Sequence, residues 1–386
     1  MCVIRGEPRD HVQCDAPRFC GIPSKWNIEH QLIVSEEDAA FTSIGSRECD
    51  ESLHLARGPN FEFHARSIGP YLRDGRSRSG TFAKTGPCDV KRAVGQTGVV
   101  NRLSSSELLG FAADERVLIV NCDDFGMHDA VNAAVVESIE NGIASSCSLM
   151  VPCPAAAHAM RLLRERPHIP FGIHLALIRD VPEYRWGPVA DKADVPSLLD
   201  PCTNELYFDT PVQRATLLAE ARLSDVEREL REQIDQVVGA GLAPTHLDWH
   251  CLADGGRADI FDLAMALAKE YGLAARIWLD DCRRKAREHG KPVIDNPFLD
   301  SYAISLDDKV ATYERMLRDL PAGLSEWAIH PAQGTDEWQR IEPPPPGWRI
   351  RQTDYAFLTS PRAREIIDHE GITVIDYRPL QQVWNH

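Results

Sequence analysis

Two adjacent carboxylates follow a short apolar segment in VLIVNCDDFG, residues 117–126. Side chains of neighbouring residues on a β-strand point to opposite faces. Asp123 and Asp124 can therefore face one site only where the strand ends and the chain turns. Paired carboxylates at such a point suit metal-assisted catalysis, because one can bind an ion while the other accepts a proton.

Histidines lie at the ends of three other apolar segments. FGIHLAL contains His174, SEWAIH ends in His330, and PTHLDWH contains His246, Asp248 and His250. The last three are two residues apart, so they share one face if the strand stays regular. One carboxylate with two imidazoles suits zinc or a similar divalent ion and leaves positions open for water and substrate. These residue types predict metal-assisted hydrolysis, but the spacing leaves open whether His246 or His250 binds the ion.

Each of these residues also has a structural explanation. Aspartate is favoured in turns and as a helix cap, which would account for Asp123 and Asp124. A lone buried histidine such as His174 is more often a hydrogen-bonded core residue than a ligand. The recurrence of such residues at four strand ends favours a functional site.

The elements that would position these residues begin near Arg116, where short apolar segments start to alternate with amphipathic ones. This alternation predicts a parallel sheet covered by helices. Seven repeats over about 270 residues favour a β/α barrel, in which the carboxyl ends of the strands build the active site. An open doubly wound sheet is the alternative. The predicted strands are VLIVNC, SCSLMV, FGIHLAL, PTHLDWH, AARIWL, SEWAIH and ITVIDY.

Composition narrows the function classes of this chain of 386 residues. Its formal net charge of −16 disfavours nucleic-acid binding. No apolar run is long enough for a membrane span, and the first residues lack the apolar region of a secretory signal. The eleven cysteines form no C-x-x-C pair, so we expect reduced thiols and a cytoplasmic protein. Phosphate-binding glycine motifs and the G-x-S-x-G motif are also missing.

Residues 1–110 differ from the rest of the chain. They contain 14 basic and 14 acidic residues, and the segment between residues 55 and 89 is rich in Gly, Ser, Arg and Pro without helical or strand periodicity. We predict a mostly disordered or loosely structured extension over residues 1–110 and a barrel domain over residues 111–386.

Four motifs together resemble a known family. These are VNCDDFGMHDAVNAAVVESIENGIASSCSLMVPCPAAAHA, FGIHLAL, PTHLDWH and AIHPA. They are similar, in this order, to the YdjC-like carbohydrate deacetylases, which include chitooligosaccharide and hopanoid-related deacetylases. The resemblance extends over residues 116–378. It implies a distorted TIM-like (β/α) barrel with one divalent metal ion, Mg²⁺ or Zn²⁺, that removes acetyl groups from N-acetylated sugars or oligosaccharides.

The resemblance also assigns roles. Asp123 would be the general base and His330 the general acid or a partner of the oxyanion, whereas His246 would be structural or support the ligands. The metal ligands would be Asp124, His174 and His250.

The chain departs from the family after the H-L-D-x-H motif. It reads CLADGGR where the chitooligosaccharide enzymes have further histidines, and it has an insertion after residue 178. Tyr184, Trp186 and Trp348 are candidates for stacking on sugar rings. Alternative functions are hydrolysis of another amide or of a phosphoester, or sugar binding without catalysis. A homodimer is compatible with the sequence.

Overall fold

The computed structural model describes residues 103–182, 184–302, 304–342 and 347–385. The first 102 residues of the predicted extension lie outside this range, so their disorder stays a prediction. The described chain begins before the predicted boundary at residue 111, with a one-turn helix at Ser105–Leu108. The backbone N–H groups of Ser105 and Ser106 donate to the Asp295 carboxylate at 2.8 and 3.0 Å. Residues 103–110 are thus attached to the domain that follows.

All seven predicted strands are present, and a two-residue strand at Leu299–Asp300 joins them in one parallel sheet. Two further strands form a small antiparallel pair in the insertion after residue 178. The strands of the described residues are β1 (Arg116–Phe125), β2 (Ser146–Leu149), β3 (Phe171–Leu175), β4 (Leu199–Asp200), β5 (Glu205–Leu206), β6 (His246–Trp249), β7 (Ala274–Ala275), β8 (Leu299–Asp300), β9 (Gly323–Ile329) and β10 (Ile372–Ile375).

The order of the strands is that of a barrel, β7-β6-β3-β2-β1-β9-β8. It follows the chain around the sheet and has a gap between β7 and β8, where no pairing closes the sheet within the described residues. β9 pairs along one side of β1, and β10 and β2 share the other side, against Arg116–Ile119 and Asn121–Phe125. The predicted distorted β/α barrel is confirmed in the form of a half-barrel, rather than an open sheet whose strand order reverses.

Helices follow most strands and cover the sheet, whose central strand β1 is buried on both faces from Val117 to Phe125. None of the described helices is both long and apolar enough to cross a membrane. The described helices are α1 (Ser105–Leu108), α2 (Asp129–Glu140), α3 (Ala156–Glu165), α4 (Pro211–Glu220), α5 (Leu223–Gly239), α6 (Ala258–Tyr271), α7 (Asp280–Glu288), α8 (Lys309–Arg318), α9 (Asp336–Ile341), α10 (Trp348–Leu358), α11 (Pro361–Glu370) and α12 (Arg378–Trp384).

Candidate metal centre and catalytic site

A bulge in β1 brings both adjacent carboxylates to one site. The strand does not end at Asp123, as the alternation rule predicted, but continues to Phe125 with a shift of register against β2 after Cys122. Asp124 has a left-handed backbone, with φ at +65°. Such a residue re-aims the side chains around it, and aspartate is among the non-glycine residues that tolerate this conformation. Both carboxylates are almost fully buried.

Three potential ligand atoms converge beside this bulge. Oδ1 of Asp124 lies 3.2 Å from Nδ1 of His250 and 3.5 Å from Nε2 of His174, and the three atoms lie within 4.8 Å of one another. Bonds of about 2.0–2.2 Å at tetrahedral angles would place two N or O ligands of one ion about 3.3–3.6 Å apart. The donor types and their spacing therefore fit a single divalent ion.

Asp248 orients His174 for this arrangement. Its Oδ1 lies 2.9 Å from Nδ1 of His174, so the other ring nitrogen of His174 faces Asp124. Ser148 and Arg276 hold the second oxygen of Asp248. Burial disfavours the imidazolium, but the charges of Asp248 and Asp123 outweigh it and raise the pKa of His174 to about 9. A metal ion that bound this ring would therefore have to displace a proton from it.

Arg351 occupies the other oxygen of Asp124. Its Nη1 lies 2.7 Å from Oδ2 of Asp124, and its side chain is fully buried between Tyr302 and Trp338. Burial by itself would raise the pKa of Asp124, but this guanidinium holds the pKa well below its usual range. Asp124 thus presents a single ionised oxygen, Oδ1, to the two histidines.

A second buried arginine holds the neighbouring carboxylate, Asp123. Arg276 follows β7 and donates to both oxygens of Asp123 at 2.8 Å, and Asn121 donates to Oδ1 at 2.7 Å. The guanidinium also contacts Glu326 at 2.7 Å. Burial raises the pKa of Glu326 to about 7. The two adjacent acids are therefore fixed by different cations.

His330 follows β9 and approaches the same point from the other side of β1. Its Nε2 lies 3.9 Å from Oδ2 of Asp123, and its Nδ1 lies 3.4 Å from the hydroxyl of Ser301. Asp354 accepts hydrogen bonds from that hydroxyl and from the backbone N–H of His330, both at 3.1 Å. The ring is partly exposed, so it can meet a bound molecule.

The structure places His246 away from the three ligand atoms. Its ring is fully buried and stacks on Tyr377 with 3.6 Å between centroids. Burial lowers the pKa of His246. Gly172 lies against the imidazole so closely that a Cβ at that position would overlap it. His246 is thus packed as a core residue, whereas His250, just after β6, reaches the site.

The five predicted site residues line one cavity of about 390 Å³, a volume typical of small-molecule sites. Three aromatic side chains face it: Trp249, Trp278 and Tyr302. The loop aromatics suggested by the sequence do not line this cavity. Its lining residues are Asp123, Asp124, His174, Asp180, Asp209, Arg214, Trp249, His250, Cys251, Trp278, Asp300, Tyr302, His330 and Arg351.

Comparison with known proteins identifies the family. A model of the YdjC-like proteins matches residues 117–369, which include every candidate site residue described above. The chain belongs to the YdjC-like family. This membership confirms the resemblance seen in the sequence motifs.

Curated and solved relatives agree with this YdjC-like assignment. The chain is 33% identical to a carbohydrate deacetylase of Geobacillus stearothermophilus, over 69% of this chain and 99% of that protein. It is 28% identical to a chitooligosaccharide deacetylase of Serratia marcescens, over 56% and 84%. A crystal structure from Enterococcus faecalis, of a protein to which cellobiose-phosphate cleavage has been attributed, aligns with a TM-score of 0.58 at 24% identity. That alignment covers 69% of this chain and 99% of the other and shows the shared fold.

Several residues of this YdjC-like site could not be assigned from the sequence. Arg276 and Arg351 lie in segments without a catalytic motif and reach the carboxylates only through the fold. Asp180 lies in the insertion after β3. Asp248 could be recognised from the sequence as part of the H-L-D-x-H motif. Its position two residues before His250 places it on the same strand face, which is the signal that it supports the ligand residues.

Proposed function

We propose that this protein is a metal-dependent hydrolase that removes the acetyl group from an N-acetylated carbohydrate. The observation that carries the proposal is the convergence of Asp124, His174 and His250 beside Asp123 and His330 in one cavity. The carbohydrate substrate is supported by the names of the curated relatives, which are carbohydrate and chitooligosaccharide deacetylases.

In this proposal Asp124, His174 and His250 hold one divalent ion, Zn²⁺ or Mg²⁺. The mixed N/O donor set suits zinc better than magnesium, which prefers six oxygen ligands. When bound, such an ion supplies a Lewis acid that polarises a carbonyl oxygen and acidifies water. Asp248 and Arg351 support the set by orienting His174 and by restricting Asp124 to one free oxygen.

Asp123 acts as the general base. Its two hydrogen bonds from Arg276 and one from Asn121 fix the plane of the carboxylate, so that Oδ2 lies 4.0 Å from Nε2 of His174 and 3.9 Å from Nε2 of His330. A water molecule bound beside the ligand atoms would lie within reach of this oxygen. Oδ2 accepts a hydrogen bond from Arg276 and has a further lone pair for the proton. When Asp123 becomes neutral, Glu326 and Asp248 still compensate the buried charge of Arg276.

His330 acts as the general acid. It protonates the amine nitrogen as the amide bond breaks, a role that histidine fills well near neutral pH. Ser301 and Asp354 hold the ring with Nε2 3.9 Å from Oδ2 of Asp123, so the acid and the base lie side by side in the lining of the cavity. Trp249, Trp278 and Tyr302 offer apolar faces for the sugar ring.

The test is acetate release from N-acetylated mono- and oligosaccharides, measured with metal-loaded and chelated protein. We expect release from at least one sugar, loss of release with the chelator, and recovery when the ion is added back. The same sugars without N-acetyl groups serve as controls. Metal-loaded protein that releases no acetate from any of the sugars would contradict the proposal.

A further inference from the structure

His250 belongs to a second group of potential ligand atoms at the mouth of the cavity. Its Nδ1 faces Asp124, but its Nε2 lies 3.3 Å from Oδ1 of Asp180 and 3.4 Å from Sγ of Cys251. These three atoms also lie within 4.8 Å of one another. The second group therefore uses a ring nitrogen that the first group does not.

An orienting role for Asp180 does not account for this arrangement. The equivalent partner of the other histidine, Asp248, makes a 2.9 Å hydrogen bond to His174. Oδ1 of Asp180 is instead buried without an aligned hydrogen bond among the described residues, and it pairs with His250 through a longer contact of 3.3 Å to Nε2. The ring of His250 is its charged neighbour, and a carboxylate oxygen can accept a further partner. A cation bound beside it would offset the cost of burying this oxygen.

Two of the three spacings in this group are close to those around one ion. Tetrahedral bonds of about 2.0–2.3 Å to oxygen, nitrogen and sulfur place pairs of ligand atoms about 3.3–3.8 Å apart. The oxygen–nitrogen distance of 3.3 Å falls within this range, and the nitrogen–sulfur distance of 3.4 Å is about 0.1 Å shorter than the roughly 3.5 Å expected for that pair. Cys251 also has a left-handed backbone, with φ at +58°, which directs the residue after His250 back to the same histidine.

We propose that Asp180, His250 and Cys251 form a second metal site, selective for a thiophilic divalent cation such as Zn²⁺ or Cd²⁺. Thiolate ligands select such ions against Mg²⁺. Binding releases the Cys251 thiol proton and any proton on Nε2 of His250 to solvent, so charge and atoms balance. The two sites share one imidazole, and a neutral imidazole offers a lone pair on only one of its two nitrogens. Occupation of the second site through Nε2 therefore withdraws His250 from the first.

The direct test is a titration of the metal-free full-length protein with Cd²⁺, followed by the ultraviolet absorption of the cadmium–thiolate bond. The chain has eleven cysteines, so the signal is measured as the difference between the wild type and Cys251→Ser. Cys202→Ser is the matched control, because Cys202 is exposed and does not line the cavity. Circular dichroism and thermal unfolding verify that each variant is folded.

We expect one saturable step in the wild type and in Cys202→Ser that is missing in Cys251→Ser and is not produced by Mg²⁺. Asp180→Asn, which keeps the thiol, should weaken that step by at least about 10-fold, the lower end of what lost partners cost at metal sites. A titration that Cys251→Ser leaves unchanged would overturn the site. This result does not depend on hydrolysis, so it is independent of the proposed function.

The competition between the sites is tested by zinc inhibition of acetate release. The wild-type rate should fall as zinc exceeds one equivalent, and Cys251→Ser should resist this fall. Equal inhibition of both proteins would overturn the sharing of His250.

Discussion

Replacement of Asp248 by asparagine tests how the buried carboxylates support the metal centre. Asp248 accepts the Nδ1 proton of His174 at 2.9 Å, and its other oxygen contacts Ser148 and Arg276. Asparagine keeps the shape but removes the charge that fixes the imidazole tautomer. Loss of such a partner costs about 10- to 100-fold in metal affinity, or about 1.4–2.7 kcal/mol. Arg276 keeps Asp123 and Glu326 as partners, so we expect the variant to fold.

The same change alters the pH dependence of stability of the metal-free protein. The pKa of His174 is raised to about 9 in the folded state, against about 6.5 in an unfolded chain. Its contribution to the free energy of unfolding is therefore fully present below pH 6.5 and is lost as the pH rises to 9. The whole contribution is at most about 3 kcal/mol. In Asp248→Asn this decline should be much smaller, because the charge that most raises the pKa is gone.

Metal affinity is measured by competition with a chelating dye, and stability by urea unfolding between pH 6 and pH 9.5. Asp225→Asn is the matched control, since Asp225 is a buried carboxylate bound by Ser197 and Arg222 outside the cavity. A metal affinity of Asp248→Asn within twofold of the wild type would refute the supporting role. So would an unchanged slope of stability against pH.

Three further predictions concern the packing of Gly172 on His246, the N-terminal boundary of the folded domain, and the removal of the metal ion. Gly172→Ala should lower the free energy of unfolding in urea by about 1–3 kcal/mol, because the new Cβ overlaps the ring of His246. Gly239→Ala is the control, because a Cβ at that position would have open space around it. Deletion of residues 1–102 should leave the unfolding midpoint unchanged, whereas deletion of residues 1–110 should lower it, since Asp295 loses two backbone donors. Equal midpoints for the two deletions would contradict this. When the free metal ion is at about 100 times its Kd, chelation should lower the free energy of unfolding of the loaded protein by about 2.7 kcal/mol. An unchanged melting temperature after chelation would contradict the presence of a bound ion.

The sheet could be predicted from the sequence because each strand is a short apolar segment between amphipathic helices. The strand ends then gave the positions of Asp123, His174 and His330. The eighth strand, Leu299–Asp300, has only two residues and no apolar pattern, so its place in the sheet depends on β9 beside it.

The local geometry of the candidate site depends on contacts that cannot be predicted from the spacing of residues along the sequence. Asp124 reaches the site through a bulge with a left-handed residue, whereas alternation along a regular strand predicts that it points away. Arg276 and Arg351 lie 153 and 227 residues from the carboxylates they bind. His246 and His250 share a strand face in the sequence pattern. In the structure His246 packs on Tyr377 in the core, whereas His250 lies just beyond the end of β6.

The division of roles between the two adjacent acids is tested most directly by Asp123→Asn, with metal content and acetate release measured on the same sample. We expect a full complement of metal ion and a loss of turnover of about 10²- to 10⁴-fold, because the ligand Asp124 remains and the base is gone. Asp124→Asn, which retains a residue that tolerates a positive φ, should instead lose the ion. A near-normal rate in Asp123→Asn, or loss of its metal ion, would contradict the assignment of Asp123 as the base and Asp124 as the ligand.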